Sequence, residues 1–387
     1  MITIFNLVTD TDIGGAERVL ANVVRATDAS RFRQVVVSMT GFGPVAHQLR
    51  EAGIEVHTLG MRRGVPNLGG FWRLVKLLRR SKPDLLLCWM YHANLLGLLA
   101  GKLAGAPHII WSTHAANPRL SAYRSLTRWV VRLCGWLSRC PDVIVAVSEA
   151  GKKLHEGWGF DSSRMIIIRN GIDLGIFKPN PEARLSVRRE LGVSDDTLLV
   201  GLMARLDPTK DHGTFFKAAS LVSRRREGVH FLLAGGGVSP ENPALARMVR
   251  ENSLDGCVHL LGLRRDVPRL TAALDVACLA SWSESFPMVV GEAMACGVPC
   301  VVTDVGDAAL IVGDTGKVVP PKNAEALAAA LADMAKLSLA ERQALGAKAR
   351  RRIQENFALA GMVHAFESLY ERVHDGQEFK AMNGVRA

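Results

Sequence analysis

The 387-residue sequence lacks cysteines that are spaced to act as a pair. It contains seven cysteines, but none have the Cys-x-x-Cys spacing expected of a redox or zinc pair. Cys88, Cys278 and Cys300 lie inside apolar runs, where cysteine acts as a small buried hydrophobic residue. This usage argues against a disulfide framework and against a cysteine metal centre.

Long apolar runs are also missing. The most apolar zone, residues 84–111, is interrupted by His92, Asn94, Lys102 and His108, so it falls short of the ~18 apolar residues of a membrane-spanning helix. The opening MITIFNLVTDTD is too short for the apolar region of an export signal and has no basic residues before it. We therefore expect no membrane span and a cytoplasmic location.

Tyrosine is scarce, with three residues, whereas positive charge is abundant: the net charge is +11 and the isoelectric point about 9.6. Such a surface attracts nucleic acid, acidic phospholipid or small anions such as nucleotides. Zinc-finger and ribonucleoprotein signatures are absent, and few aromatic residues are available to stack on bases. We expect no nucleic-acid partner, and acidic lipid and nucleotide ligands stay open.

The length exceeds the ~250 to 300 residues at which one core stops growing, so two domains are expected. Short Val-, Ile- and Leu-rich runs alternate with amphipathic stretches in both halves, which predicts an α/β fold with doubly wound parallel sheets. An Asn-Gly turn and two prolines mark a boundary within residues 170–181. We predict two Rossmann-like domains, residues 1–175 and 182–357, facing a central cleft, with a helix at about 358–375 packing back on the first.

The segment SWSESFPMVVGEAMACGVPCVVTD carries two glutamates, Glu284 and Glu292, separated by seven residues. A helix beginning at Phe286 or Pro287 would contain Glu292 and leave Glu284 in the preceding loop. The free N–H groups at the start of such a helix can bind an anion or a sugar hydroxyl. An isolated pair of this kind is more often structural. Its position before an apolar strand, among glycines and prolines, favours a binding loop instead.

This pattern resembles glycosyltransferase family 4, the retaining enzymes of the GT-B fold, and the resemblance extends over nearly the whole chain. It implies that Glu292 binds the ribose of a nucleotide and that Glu284 binds a hydroxyl of the donor sugar. It further implies that Phe286, Met288 and Val289 offer backbone N–H groups to the sugar and diphosphate. The sequence has Ser285-Phe286-Pro287 where many members carry Gly-Phe-Gly, and this difference leaves the identity of the donor open.

Two cations and two glycines complete the predicted donor site. Arg205 and Lys210 follow a strand in GLMARLDPTKDH, and fixed cations stabilise a departing diphosphate. Their spacing is similar to the family's Arg-Leu and Lys-Asp pattern. Gly14 and Gly15 follow the first strand, where glycines let backbone N–H groups approach a phosphate or simply form a tight turn.

His114 ends a strand in the first half of the chain. A single histidine more often packs locally than transfers protons. The family resemblance favours the second role, because family members place a histidine here beside the reacting sugar.

A basic, aromatic stretch lies between these sites. Arg124, Arg128 and Arg132 are spaced by four residues, and Trp129 and Trp136 lie among them. This sequence fits a surface helix covering the sheet and an anionic membrane interface equally well.

The predicted function is transfer of a sugar, with retention, from a nucleoside-diphosphate sugar to an acceptor hydroxyl. A UDP-sugar is favoured as donor, and a lipid-linked saccharide of surface or exopolysaccharide synthesis as acceptor. No cofactor and no metal are expected, because Arg205 and Lys210 supply the cations that the diphosphate needs. The alternatives are a sugar-nucleotide epimerase of the same fold and a non-catalytic scaffold that binds nucleotide-sugar or lipid.

Overall fold

The structure is a computed structural model that describes residues 1–12, 14–62, 65, 67–114 and 120–377. These residues form two compact units. The first comprises Met1–Gly171 and the segment that begins at Leu359, and the second comprises Ile172–Ala358. Each unit has its own hydrophobic core.

The first unit is built on a parallel sheet. Its strands are β1 (Ile2–Val8), β2 (Phe32–Ser38), β3 (Glu55–Thr58), β4 (Leu85–Trp89), β5 (His108–Thr113), β6 (Val143–Ala146) and β7 (Met165–Ile167). In the described part of the chain the strand order is β3-β2-β1-β4-β5-β6-β7, and neighbouring strands are parallel. The order reverses between β1 and β4, so the loops after these two strands diverge.

Helices cover both faces of this sheet. They are α1 (Gly15–Ala26), α2 (Pro44–Glu51), α3 (Leu68–Ser81), α4 (Tyr91–Ala104), α5 (Ser125–Leu137) and α6 (Glu149–Gly157). Leu74 of α3, Leu98 of α4 and Val131 of α5 share one core. Because α1 and α2 contribute to the core on the other face, α3, α4 and α5 form one layer.

The second unit repeats this plan. Its strands are β8 (Leu198–Met203), β9 (Val229–Ala234), β10 (Val258–Leu260), β11 (Val276–Leu279), β12 (Cys300–Thr303) and β13 (Lys317–Val319), and their order in the described chain is β10-β9-β8-β11-β12-β13. The helices are α7 (Pro181–Leu191), α8 (His212–Ser223), α9 (Pro243–Glu251), α10 (Val267–Ala272), α11 (Met288–Ala295), α12 (Ala308–Val312), α13 (Ala324–Lys336) and α14 (Leu339–Asn356). The order reverses between β8 and β11.

The last helix, α15 (Leu359–His374), belongs to the first unit. The ring of Phe366 lies 6.0 Å from that of Trp89, and the ring of Tyr370 lies 5.7 Å from that of Phe32. The carboxylate of Glu367 accepts the backbone N–H of Asp28 at 2.8 Å. Aromatic packing against the sheet face that α1 and α2 also cover therefore attaches α15 to the first unit.

The predicted fold class, two Rossmann-like units with parallel sheets, is confirmed. The apolar runs correspond to eleven strands of the described chain, and the two that the sequence pattern missed are β3 and β13. Both are short edge strands whose residues are mostly not buried, so neither has the apolar signature of a central strand. In the part of the chain described, no helix combines the length and hydropathy needed to span a bilayer.

Candidate functional site

The loops after β8 and β11 meet at the point where the strand order of the second unit reverses. In open parallel sheets, ligands bind outside the carboxyl ends of the strands at such a reversal. The loop after β8 carries Arg205 and Lys210, and the loop after β11 carries Glu284. Topology alone thus brings these predicted residues to one edge of the sheet.

Lys210 and Glu284 form an ion pair. Lys210 Nζ lies 2.5 Å from Glu284 Oε1, and the same oxygen accepts the Ser281 hydroxyl at 2.7 Å. The two side chains are 21% and 7% exposed, so both charges are largely removed from water. A buried charge without a partner is strongly destabilising, which makes each of these residues depend on the other.

Trp282 holds the two loops together. Its backbone N–H donates to Thr209 O at 2.9 Å, and its indole Nε1 donates to Pro208 O at 2.8 Å. Asp207 shapes the facing loop, because its Oδ1 accepts the backbone N–H of Thr209 at 2.9 Å and its hydroxyl at 2.6 Å. Sequence reasoning missed these supporting residues, since hydrogen bonds between distant loops leave no local pattern.

Arg205 differs from Lys210 in its surroundings. Its side chain is 67% exposed, and its guanidinium lies 3.2 Å from the carboxylate of Asp207. A glycine loop after β9 supports this segment: Gly236 O accepts the Leu206 N–H at 2.8 Å, and a Cβ at Gly235 would come within 2.2 Å of Ala204 O. Glycine at 235 is therefore required for the close approach of the two loops.

Glu292 lies in α11 and is buried, with 3% exposure. The prediction that Glu292 is helical and Glu284 lies in the loop before it is confirmed. The predicted helix start is wrong by one or two residues, because Pro287 is the N-cap and α11 begins at Met288. Extended backbone at Pro287, with φ −74° and ψ 91°, places it just outside the helix.

The first turn of α11 begins with Met288 and Val289. The first N–H groups of a helix have no intrahelical acceptor and carry the positive end of the helix dipole. The side chain of Phe286 turns into the core, where its ring lies 5.9 Å from that of Phe357. Phe286 thus anchors the loop that leads into α11.

In the first unit, Gly14 and Gly15 follow β1, next to the reversal of strand order. Gly14 is the N-cap of α1 and Gly15 its first residue. A Cβ at Gly14 would lie 2.1 Å from the carboxylate of Glu17, whereas nothing crowds Gly15. A side chain at position 14 would therefore have to displace the carboxylate of Glu17, whereas position 15 is open.

His114 follows β5, and its ring stacks on Trp89 with a centroid distance of 5.5 Å. His114 Nε2 lies 3.0 Å from the Ser112 hydroxyl. Burial lowers the pKa of His114 to about 3, and repulsion from His155 adds to this effect. The imidazole is consequently neutral near pH 7 and acts as a hydrogen-bonding group without charge.

Cations rather than metal ligands dominate the described site. Within the residues that the structure describes, no three His, Cys, Asp or Glu side chains are grouped as a metal would require. The cysteines are free, and burial raises the pKa of the thiols of Cys278 and Cys300. Lys210, Arg205 and the N-terminus of α11 supply positive charge at this edge of the sheet.

Each half of the chain matches a family model. Residues 13–175 match the model described as Glycosyltransferase Family 4, and residues 197–336 match the model described as Glycosyl transferases group 1.

Two curated bacterial proteins are similar. One is the UDP-Gal:α-D-GlcNAc-diphosphoundecaprenol α-1,3-galactosyltransferase of Escherichia coli, 26% identical over 60% of either chain. The other is the N,N'-diacetylbacillosaminyl-diphospho-undecaprenol α-1,3-N-acetylgalactosaminyltransferase of Campylobacter jejuni, 28% identical over 66% of this chain and 69% of that protein. The chain thus spans about 60% of the Escherichia coli relative's length.

Among solved structures, HepE of Anabaena, crystallised with UDP and glucose, superimposes with a TM-score of 0.84. The match covers 96% of this chain and 100% of HepE at 22% identity, so it bears on the fold alone.

His114 is expected to stay neutral down to about pH 4. Because its pKa in the folded protein is about 3 and that of an unfolded histidine is about 6.5, the unfolded chain binds this proton first as pH falls. Stability contributed by the neutral ring is therefore lost between about pH 6.5 and 3. Nitrogen NMR of ¹⁵N-histidine-labelled protein at pH 5.5 would show a neutral tautomer for His114, assigned by its disappearance in His114→Asn. An imidazolium signal at that pH would contradict the assignment.

Proposed function

The chain belongs to the family 4 glycosyltransferases, and from this premise we propose that it transfers a sugar from a nucleoside-diphosphate sugar, favouring UDP, to an acceptor hydroxyl. The observation that carries the proposal is the Lys210–Glu284 ion pair at the strand reversal of the second unit. A cation and a carboxylate in contact match a ligand that has a diphosphate at one end and hydroxyls at the other.

In the proposed donor complex, the diphosphate replaces Glu284 as the ion-pair partner of Lys210. Lys210 Nζ and the N–H groups of Met288 and Val289 then neutralise the phosphates. The carboxylate of Glu284, released from its ion pair, accepts a hydroxyl of the donor sugar. Glu292 accepts the ribose hydroxyls, Arg205 rotates from the surface toward the diphosphate, and Phe286 keeps the loop in place.

Gly14, Gly15 and His114 act in the first unit, which we propose binds the acceptor. Gly14 and Gly15 are proposed to contribute to donor binding, because the open position at Gly15 lets the N-terminus of α1 approach a phosphate of the donor. The neutral imidazole of His114 hydrogen-bonds a sugar hydroxyl next to the reacting carbon.

Transfer is proposed to occur with retention. The bond between the sugar C1 and the leaving phosphate oxygen breaks, and the acceptor oxygen bonds to C1 on the same face. The departing phosphate oxygen takes the acceptor proton. A histidine that is neutral near pH 7 is consistent with this scheme, because no protein group has to deliver a proton.

The acceptor is proposed to be a saccharide carried on a membrane lipid, in surface polysaccharide synthesis. Both curated relatives are named for acceptors joined to diphosphoundecaprenol, and the Escherichia coli name includes UDP-Gal as donor. We further propose that the protein works at the cytoplasmic face of the plasma membrane, in peripheral contact with anionic lipid.

UDP is expected to raise the melting temperature of the purified protein more than GDP, ADP or CDP. At a hundredfold excess over Kd, binding to the folded state stabilises it by about 2.7 kcal/mol, which is a shift of several degrees. Lys210→Ala should abolish most of the shift, because the diphosphate loses its closest cation.

Lys217→Ala is the matched control, since Lys217 is exposed on α8 just beyond the same loop. An equal shift in Lys210→Ala and Lys217→Ala, or no shift with any nucleotide, would contradict the proposed donor site.

Transfer is expected to persist in excess EDTA. Lys210, Arg205 and the N-terminus of α11 neutralise the diphosphate without a divalent ion. Release of UDP from the UDP-sugar in the presence of acceptor is the measurement, with and without chelator. Activity that EDTA removes and added Mg²⁺ restores would refute metal independence.

A further inference from the structure

The positive charge of the chain is concentrated in one segment. Residues 56–141 contain thirteen Lys and Arg and a single acidic residue, Asp84. The whole chain has 48 Lys and Arg and 37 Asp and Glu, which leaves 35 basic and 36 acidic residues elsewhere. The net charge of +11 is therefore a property of this segment, and the remainder of the protein is close to neutral.

This segment includes α3, α4 and α5, which lie side by side on one face of the first unit's sheet. Helix α4 packs between α3 and α5, and all three turn apolar residues inward to a common core. The sides that point away from the sheet consequently form one continuous outer surface, here called the α3–α5 face.

The α3–α5 face is apolar as well as basic. Among the seven tryptophans, the three that are exposed, Trp72, Trp129 and Trp136, all lie on α3 and α5. Five exposed leucines accompany them: Leu68, Leu99, Leu103, Leu126 and Leu133. Such large aromatic and aliphatic residues side by side on a protein surface mark an interaction site.

The exposed apolar residues of α5 form a stripe. Leu126, Trp129, Leu133 and Trp136 recur at intervals of three and four residues, which puts them on one side of the helix. The buried residues Val131 and Cys134 lie on the other side. Helix α5 thus has one apolar side against the sheet and a second that faces solvent.

Basic side chains surround this apolar surface. The exposed basic residues of the three helices are Arg73, Lys76, Arg79, Arg80, Lys102 and Arg132, and none of the three helices contains an acidic residue. Arg132 lies over the ring of Trp129, with its guanidinium carbon 5.6 Å from the centroid. Long basic side chains that extend past apolar residues, with tryptophan among them, match the boundary between lipid headgroups and acyl chains.

We propose that the α3–α5 face docks the protein on the surface of an anionic lipid bilayer. This inference rests on the proposed function in one respect, since a lipid-linked acceptor requires the enzyme to reach a membrane. A second copy of the chain is a poorer occupant, because two strongly cationic faces repel each other. A bilayer accepts the tryptophans and leucines and supplies the negative charge.

The test is co-sedimentation of the full-length protein with vesicles of phosphatidylcholine alone or mixed with phosphatidylglycerol. Binding is expected only to the anionic vesicles, and it should weaken as salt increases. Trp129→Ser/Trp136→Ser and Arg79→Gln/Arg80→Gln/Arg132→Gln should each weaken binding at least 10-fold. Each basic residue near an anionic surface contributes roughly a factor of five.

Two control variants match these changes in number and exposure. Leu263→Ser/Leu339→Ser removes exposed apolar residues of the second unit, and Arg225→Gln/Arg247→Gln/Arg351→Gln removes exposed charges there. Both controls should bind vesicles as the unchanged protein does. Equal binding to neutral vesicles, equal losses in controls and face variants, or a dimer that the face variants dissociate would overturn the proposal.

The UDP-dependent melting shift separates this inference from the proposed function. Face variants that lose vesicle binding but keep the shift support docking as a separate property. Vesicle binding by a protein that no nucleotide stabilises would leave docking supported and the proposed function refuted.

Discussion

The ion pair between Lys210 and Glu284 is the contact around which the candidate site is built. It joins the loops that follow the neighbouring parallel strands β8 and β11, and its charges are largely removed from water. A salt bridge this buried adds little net stability, but losing either partner is costly. Ser281, Trp282 and Asp207 fix the geometry of the pair, and Gly235 allows the neighbouring loop to approach.

The same pair explains how one site can recognise two chemically different parts of a ligand. Lysine neutralised by glutamate has no net charge to attract anions from a distance, but it exchanges one anionic partner for another when a diphosphate arrives. The exchange releases a carboxylate whose natural partners are hydroxyl groups. Recognition of the sugar is thereby coupled to recognition of the phosphate, and the N-terminus of α11 provides further N–H groups without requiring a mobile side chain.

Much of this arrangement follows from the sequence, because its signals are local. Continuous apolar runs predicted the central strands, and the structure contains these strands. Glu284 and Glu292 were identified because their spacing across a loop and a helix is itself a local pattern.

What the sequence missed depends on contacts between distant residues. The strands β3 and β13 are short and lie at sheet edges, and most of their residues are not buried, so neither forms a continuous buried apolar run. The role of Trp282 in holding the two loops together is visible only in the folded structure, where the loop after β8 lies beside it. The low pKa of His114 comes from its burial and from His155, which is 41 positions away in the chain.

The central claim, that Lys210 binds the diphosphate while Glu284 binds the sugar, is tested most directly by titration calorimetry of Glu284→Gln with UDP and with UDP-sugar. The account predicts that the variant binds UDP at least as tightly as the unchanged protein, because Lys210 no longer has a competing carboxylate. The additional affinity that the sugar confers should fall about 10- to 100-fold, the effect of losing a charged hydrogen bond of about 1.5–3 kcal/mol. Equal weakening of UDP and UDP-sugar, or no change in either, would contradict the division of roles between the two residues.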